Sequence, residues 1–89
     1  VLRLDKLYNL DRVRIKDACL RIVYALDKER AEAVVAASAV FFLEVCDRYG
    51  VDVRRVLETT DRVRKDIREK NSVEYRALKR YLKEELPDD

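Results

Sequence analysis

Apolar and charged positions alternate along most of this chain with a helical period. Ile15, Cys19, Ile22 and Leu26 recur at i, i+4, i+7 and i+11, with Ala18 and Val23 beside them. That rhythm predicts an amphipathic helix from about Asp11 to Leu26. Val13, Leu20 and Tyr24 form a second apolar stripe on nearly the opposite side. A helix with two such stripes wants neighbours on both sides.

The pattern changes at Ala31. Eleven consecutive residues, Ala33 to Leu43, carry no charge, in a chain that is 43% charged. They fall inside a helix expected from about Lys28 to Tyr49. Val34, Val35, Ser38, Phe42, Val45, Cys46 and Tyr49 make a bulky face, of which Val34, Phe42, Val45 and Tyr49 read as intrachain core. The other face carries Ala33, Ala36, Ala37, Val40 and Leu43 among Glu32, Glu44, Asp47 and Arg48. Its small residues suit a closely approaching helix. A bilayer span needs about 20 apolar residues, so glutamates at both ends make this segment too short to cross a membrane.

Boundaries follow from local chemistry. Asp27-Lys28-Glu29-Arg30 contains neither Gly nor Pro. It reads as a break with Asp27 as N-cap, the alternative being one continuous rod of roughly 58 Å. Gly50 reads as the left-handed residue that ends the helix, and Asp52 as the N-cap of the next. Val53, Val56, Leu57, Thr60, Val63 and Ile67 then line one face of a helix from about Val53 to Lys70. Asn71 breaks it and Ser72 caps a last helix from Val73 to about Leu86, with Ala77, Leu78, Tyr81, Leu82 and Leu86 facing inward and Pro87 as the stop. A brief helix is expected within Val1 to Asn9. The fold class is therefore all-α: one domain, a small four-helix arrangement with the apolar helix at about 28–49 in its centre, open to helix exchange or dimerisation.

Composition narrows function by exclusion. There is no His among the 89 residues. That removes the commonest general base and the Ser-His and Cys-His pairs. Two cysteines, Cys19 and Cys46, cannot close a zinc site without His, and both lie on apolar faces as small buried hydrophobes. No catalytic residue, cofactor or metal is expected. So low a cysteine count suits a reducing, intracellular compartment. The charged start VLRLDKLYNLDRVR lacks the features of a signal peptide.

Net charge is only +2, which gives no general attraction to nucleic acid or anionic membrane. Thirteen Arg against seven Lys suit bidentate pairing with the 18 carboxylates. Arg54-Glu58-Arg62-Asp66 and Asp61-Lys65-Glu69 place opposite charges at i, i+4, as on a solvated face held by local ion pairs.

The spacing Cys46, Gly50, Val51, Val56, with Val45 and Tyr49 at inner positions, resembles a helix-turn-helix across Phe42 to Thr59. That resemblance implies a nucleic-acid-binding regulator using the Gly50 turn and the helix at 53–70, with Arg54, Arg55, Arg64 and Arg68 as its candidate phosphate contacts, of which Arg55, Arg64 and Arg68 are comparatively free of i, i+4 partners. Its outward recognition positions would be Asp52, Val53, Arg54, Leu57 and Glu58, of which two are acidic and two apolar, a poor match to a negatively charged groove.

The stronger reading is a non-enzymatic interaction module. The helices expected at about 11–26 and 28–49 have two apolar faces each and the last two have one, more than a monomeric bundle covers. The expected docking residues are Ala33, Ala36, Ala37, Val40 and Leu43, with Val13, Leu20 and Tyr24 on the preceding helix. The expected partner is protein: a second copy or a larger assembly.

Overall fold

The computed structural model describes residues 2–86. Within them the chain is all-helical, with five helices: α1 (Leu4–Tyr8), α2 (Arg12–Leu26), α3 (Ala31–Tyr49), α4 (Val53–Lys70) and α5 (Val73–Glu85). The expected stop at Pro87 lies outside the described residues. None of the described helices is long and apolar enough to cross a membrane.

Capping residues set most of these bounds. The Asp11 carboxylate accepts from the Val13 N–H at 3.0 Å, and Asp52 accepts from the Arg54 N–H at 2.9 Å. Ser72 Oγ accepts from the Tyr75 N–H at 3.2 Å. Each satisfies an amide that a helix start leaves without an intrahelical partner. Gly50 adopts φ 63°, and the Val51 and Gly50 amides turn back to the carbonyls of Cys46 and Asp47. That double return satisfies the last carbonyls of α3 and reverses the chain into α4. Asn71 does the same duty at the end of α4, with φ 43°.

The start of α3 departs from expectation. Asp27 sits in helical geometry at the end of α2, and the N-cap of α3 is Arg30, with no side-chain cap bond. The helix therefore begins at Ala31, three residues later than the pattern suggested. The two helices are separate, because the Glu29 amide closes a tight turn on the Leu26 carbonyl at 3.1 Å.

Tertiary order centres on α2, α4 and α5. The closest-packed pairs are α2 with α5 and α1 with α4. Helices α2 and α5 run parallel: Lys16 meets Ser72 near one end, and the rings of Tyr24 and Tyr81 meet edge-on, 5.7 Å apart, towards the other. Arg12 ties three elements together. Its Nε donates to Asp66 Oδ2 on α4 at 2.9 Å, and its Nη1 donates to the carbonyls of Tyr8 and Leu10.

The buried residues are Val23 and Lys16 on α2, Cys46 on α3, and Val56, Thr59, Val63 and Ile67 on α4. Thr59, not Thr60, continues the α4 seam, and Leu57 is exposed. The expected inward residues of α5 are all half-buried.

The central place expected for the apolar helix is not observed. Helix α3 is peripheral. Of its nineteen residues only Cys46 is buried; Tyr49, read as core, is 54% exposed, and Val35 on the same bulky face is 70% exposed. The physical reason is shape. The Cα trace measures 35 × 29 × 17 Å, and 17 Å admits only two helix layers at the usual 8–10 Å spacing. In two layers every helix keeps one open side, and no described side chain falls below 2% exposure. Helix α2 spends its inner side on α4 and α5, which leaves α3 without a third layer above it.

Candidate interaction surface

The exposed side of α3 is apolar for three turns. Val40, Phe41 and Leu43 are 59%, 65% and 50% exposed, while Val35, 70% exposed, lies round the helix on the side of Cys46. Ala36 and Ala37 lie exposed beside Val40 and Phe41, and Ala33 is half-buried. Five of the expected docking residues thus share one outward helix face. Val13 and Tyr24 are exposed on α2, but Tyr24 already rests on Tyr81, and Leu20 is half-buried. The α2 stripe is therefore partly engaged within the chain.

Phe41 and Ile22 complete the surface. Phe41 falls between the two α3 faces defined by the sequence pattern, so neither face claimed it. A phenylalanine one turn after Ala37, and off the bulky face, was the only signal available. Ile22 belongs to the first of the two apolar α2 stripes, and it is half exposed.

The cause is a groove. The stripe Ile15–Cys19–Ile22–Leu26 is incompletely covered: Ile15, Cys19 and Leu26 are half-buried, Ile22 is exposed, and hollows open along it. Three adjoining hollows make up the groove. The first, about 420 Å³, lies between Ile22, Ala25 and Leu26 of α2 and Ala37, Ser38 and Phe41 of α3. The second, about 220 Å³, shares Ile22, Leu26 and Ser38 with it and adds Cys19, Val34, Leu78, Leu82 and Leu86. The third, about 280 Å³, shares Cys19, Leu78 and Leu82 with the second and runs to Ile15, Thr60, Val63 and Ile67. The walls are nearly all apolar. The charged residues lining the channel are Lys16, Arg21, Arg64 and Lys79, all cationic. Cys19 forms part of its floor. Its thiol is free, and burial pushes its pKa up from 9.0.

Two other hollows are polar and mix charges of both signs. A hollow of about 430 Å³ between α1 and α4 brings Arg55 and Arg62 together with Asp5 and Glu58. Both Arg12 and Arg62 approach the Tyr8 ring, at 5.2 and 5.5 Å from its centre. This corrects the ion-pair pattern expected along α4. Of that pattern only Asp61–Lys65 forms, at 3.3 Å. Asp66 is held by Arg12 and by Lys70 at 2.9 and 3.4 Å, and Arg62 turns to Tyr8. The side chains brought by α1 and α2 outcompete the local partners, since exposed i, i+4 pairs stabilise by only ~0.2–0.5 kcal/mol.

Three of the four arginines considered for phosphate share a side of α4, and the fourth stands apart. At 100° per residue, Arg54, Arg64 and Arg68 share one side of α4 with Leu57 and Asp61, while Arg55 lies beside Arg62 on another. Among the described residues no group of three or more His, Cys, Asp or Glu side chains is gathered as for a metal ion.

Lys16 is the residue that pattern reading overlooked. It is 5% exposed, and its ammonium donates to Ser72 Oγ at 2.6 Å, with Glu74 3.9 Å away. A buried lysine on an apolar helix side needs a polar end to its cavity, and the head of α5 supplies it.

No protein-family model matches this chain, and no curated protein or solved structure matches it.

Proposed function

We propose that this chain is a non-enzymatic association module that buries the exposed face of α3 against a second copy of itself. The observation that carries the reading is the exposure of Val40, Phe41 and Leu43 beside the exposed Ala36 and Ala37 on one side of a long helix. At roughly 150–250 Å² for a large side chain, the exposed fractions of Val40, Phe41 and Leu43 amount to on the order of 300 Å² per copy. Monomeric proteins rarely leave contiguous apolar patches larger than a few hundred Å². With the alanines and the adjoining groove included, the area approaches the ~800 Å² per partner of a standard stable interface. Association would remove this surface from water, and the charges around it would set orientation and selectivity more than affinity. Two free thiols suit the same protein working in a reducing compartment.

Sedimentation equilibrium over a wide concentration range tests the proposal. A reversible dimer supports it. A strict monomer at the highest soluble concentration overturns it and leaves a different protein as the only candidate to cover α3.

A further inference from the structure

We infer that the cationic groove along α2 receives α3 of the second copy, and that the exchange is reciprocal. The inference rests on the self-association reading above and specifies its geometry.

Length agrees first. The groove floor from Ile15 to Leu26 spans about 16 Å of helix, and the exposed α3 stripe from Ala33 to Leu43 spans about 15 Å. Shape agrees next. Ala33, Ala36 and Ala37 keep that stripe low, so a helix axis can approach to the 8–10 Å of ordinary helix packing. Val40 then stands as the knob for the hollows around Cys19 and Ile22.

Charge agrees as well, from opposite sides. The charged groups lining the groove are all cations: Lys16, Arg21, Arg64 and Lys79. The exposed charges among the apolar residues of α3 are Glu32, Glu44 and Asp47, together with Arg48, whose guanidinium lies 5.7 Å from the centre of the Tyr49 ring. An acidic, apolar helix thus meets a cationic, apolar channel. Complementary potentials of this kind steer encounter and disfavour wrong partners.

Symmetry ties the two surfaces together. Ala37 and Phe41 of α3 form one wall of the groove in their own copy. An incoming α3 therefore lies beside the resident α3, and a two-fold axis between them fills both grooves at once. A closed, isologous pair results, with no free groove left to propagate a filament.

Cys19 is a built-in reporter. It sits on the groove floor, while Cys46 is buried in the core. The first experiment measures alkylation of wild-type Cys19 by iodoacetamide below and above the association midpoint. Occupancy of the groove slows the reaction by about tenfold in the dimer, because thiol reactivity follows access. An unchanged rate in a protein that does dimerise overturns the inference while leaving self-association standing. The second experiment treats the Val40→Cys variant with a short bismaleimide and maps the links by mass spectrometry. A link between Cys19 of one copy and the thiol at position 40 of the other is expected, and it disappears on Cys19→Ser. Links that join only position 40 to position 40 overturn the reciprocal geometry. A strict monomer overturns the association proposal itself.

Discussion

The Lys16 ammonium donates to Ser72 Oγ at 2.6 Å across 56 residues of sequence. The same hydroxyl oxygen accepts from the Tyr75 amide and caps α5. One oxygen therefore starts a helix and terminates a buried cation. Ser72→Ala removes both roles and is expected to cost about 1–2 kcal/mol. Lys16→Ala costs about 2 kcal/mol, because it empties the cavity as well. Lys16→Met keeps the volume and discards the charge, so it costs less than Lys16→Ala. Urea unfolding of the three variants gives the order. A Lys16→Met protein less stable than Lys16→Ala would contradict this account.

Acid stability depends on Asp66 and Glu74. The hydrogen bond from Arg12, helped by the charge of Lys70, holds the Asp66 carboxyl below its ordinary 3.8. Glu74 is held below 4.5 by its own backbone amide at the head of α5, then by Ser72 and Lys16. A carboxylate with a lowered folded pKa contributes stability that is present above its unfolded value. That contribution is lost as pH falls through the folded value. The thermal midpoint is therefore expected to hold at neutral pH and to decline below about pH 4. Asp66→Asn flattens the decline and lowers the midpoint at pH 7. An identical pH profile in the variant would rule out Asp66 as a contributor.

Gly50 tests the turn between α3 and α4. Its φ of 63° lies in the left-handed region, and a Cβ there meets nothing within 4 Å. Gly50→Ala therefore pays only backbone strain, about 1 kcal/mol, with no clash. Gly50→Asn costs less, since Asn tolerates that conformation, as Asn71 does at the end of α4. A loss of several kcal/mol in chemical denaturation would show that the turn is constrained by more than its own dihedrals.

Surface and core valines separate association from folding. Val40 is 59% exposed and Val63 only 4%. Val40→Arg leaves the stability of the isolated copy within about 0.5 kcal/mol. It weakens dimerisation by at least ~10-fold, read by sedimentation, because a charge then enters the apolar contact. Val63→Ala does the reverse: it lowers folding stability by about 2 kcal/mol and reaches the dimer only through the fold.

Much of the architecture was legible in the residues. Asp11, Gly50, Asp52, Asn71 and Ser72 stand at helix ends, because capping is decided by groups within a few positions along the chain. The α3 start was missed for a related reason. Arg30 offers no capping oxygen, so no side chain marked the boundary. The outward face at Ala36, Ala37, Val40 and Leu43 was also readable, since period and size define a face without reference to neighbours.

What the residues by themselves determined, then, was an all-α chain with most of these helix ends and an apolar stripe on every long helix. Only the tertiary structure decided which faces stay open. Helical period says that Ile15, Cys19, Ile22 and Leu26 share a side, but not whether a neighbour fills it. That is settled by competition among helices for contact. Arg12 with Asp66, Lys16 with Ser72 and Tyr24 with Tyr81 draw α2 onto α4 and α5. The first apolar stripe of α2 is left incompletely covered, as a groove, and α3, the most apolar helix, is left at the edge.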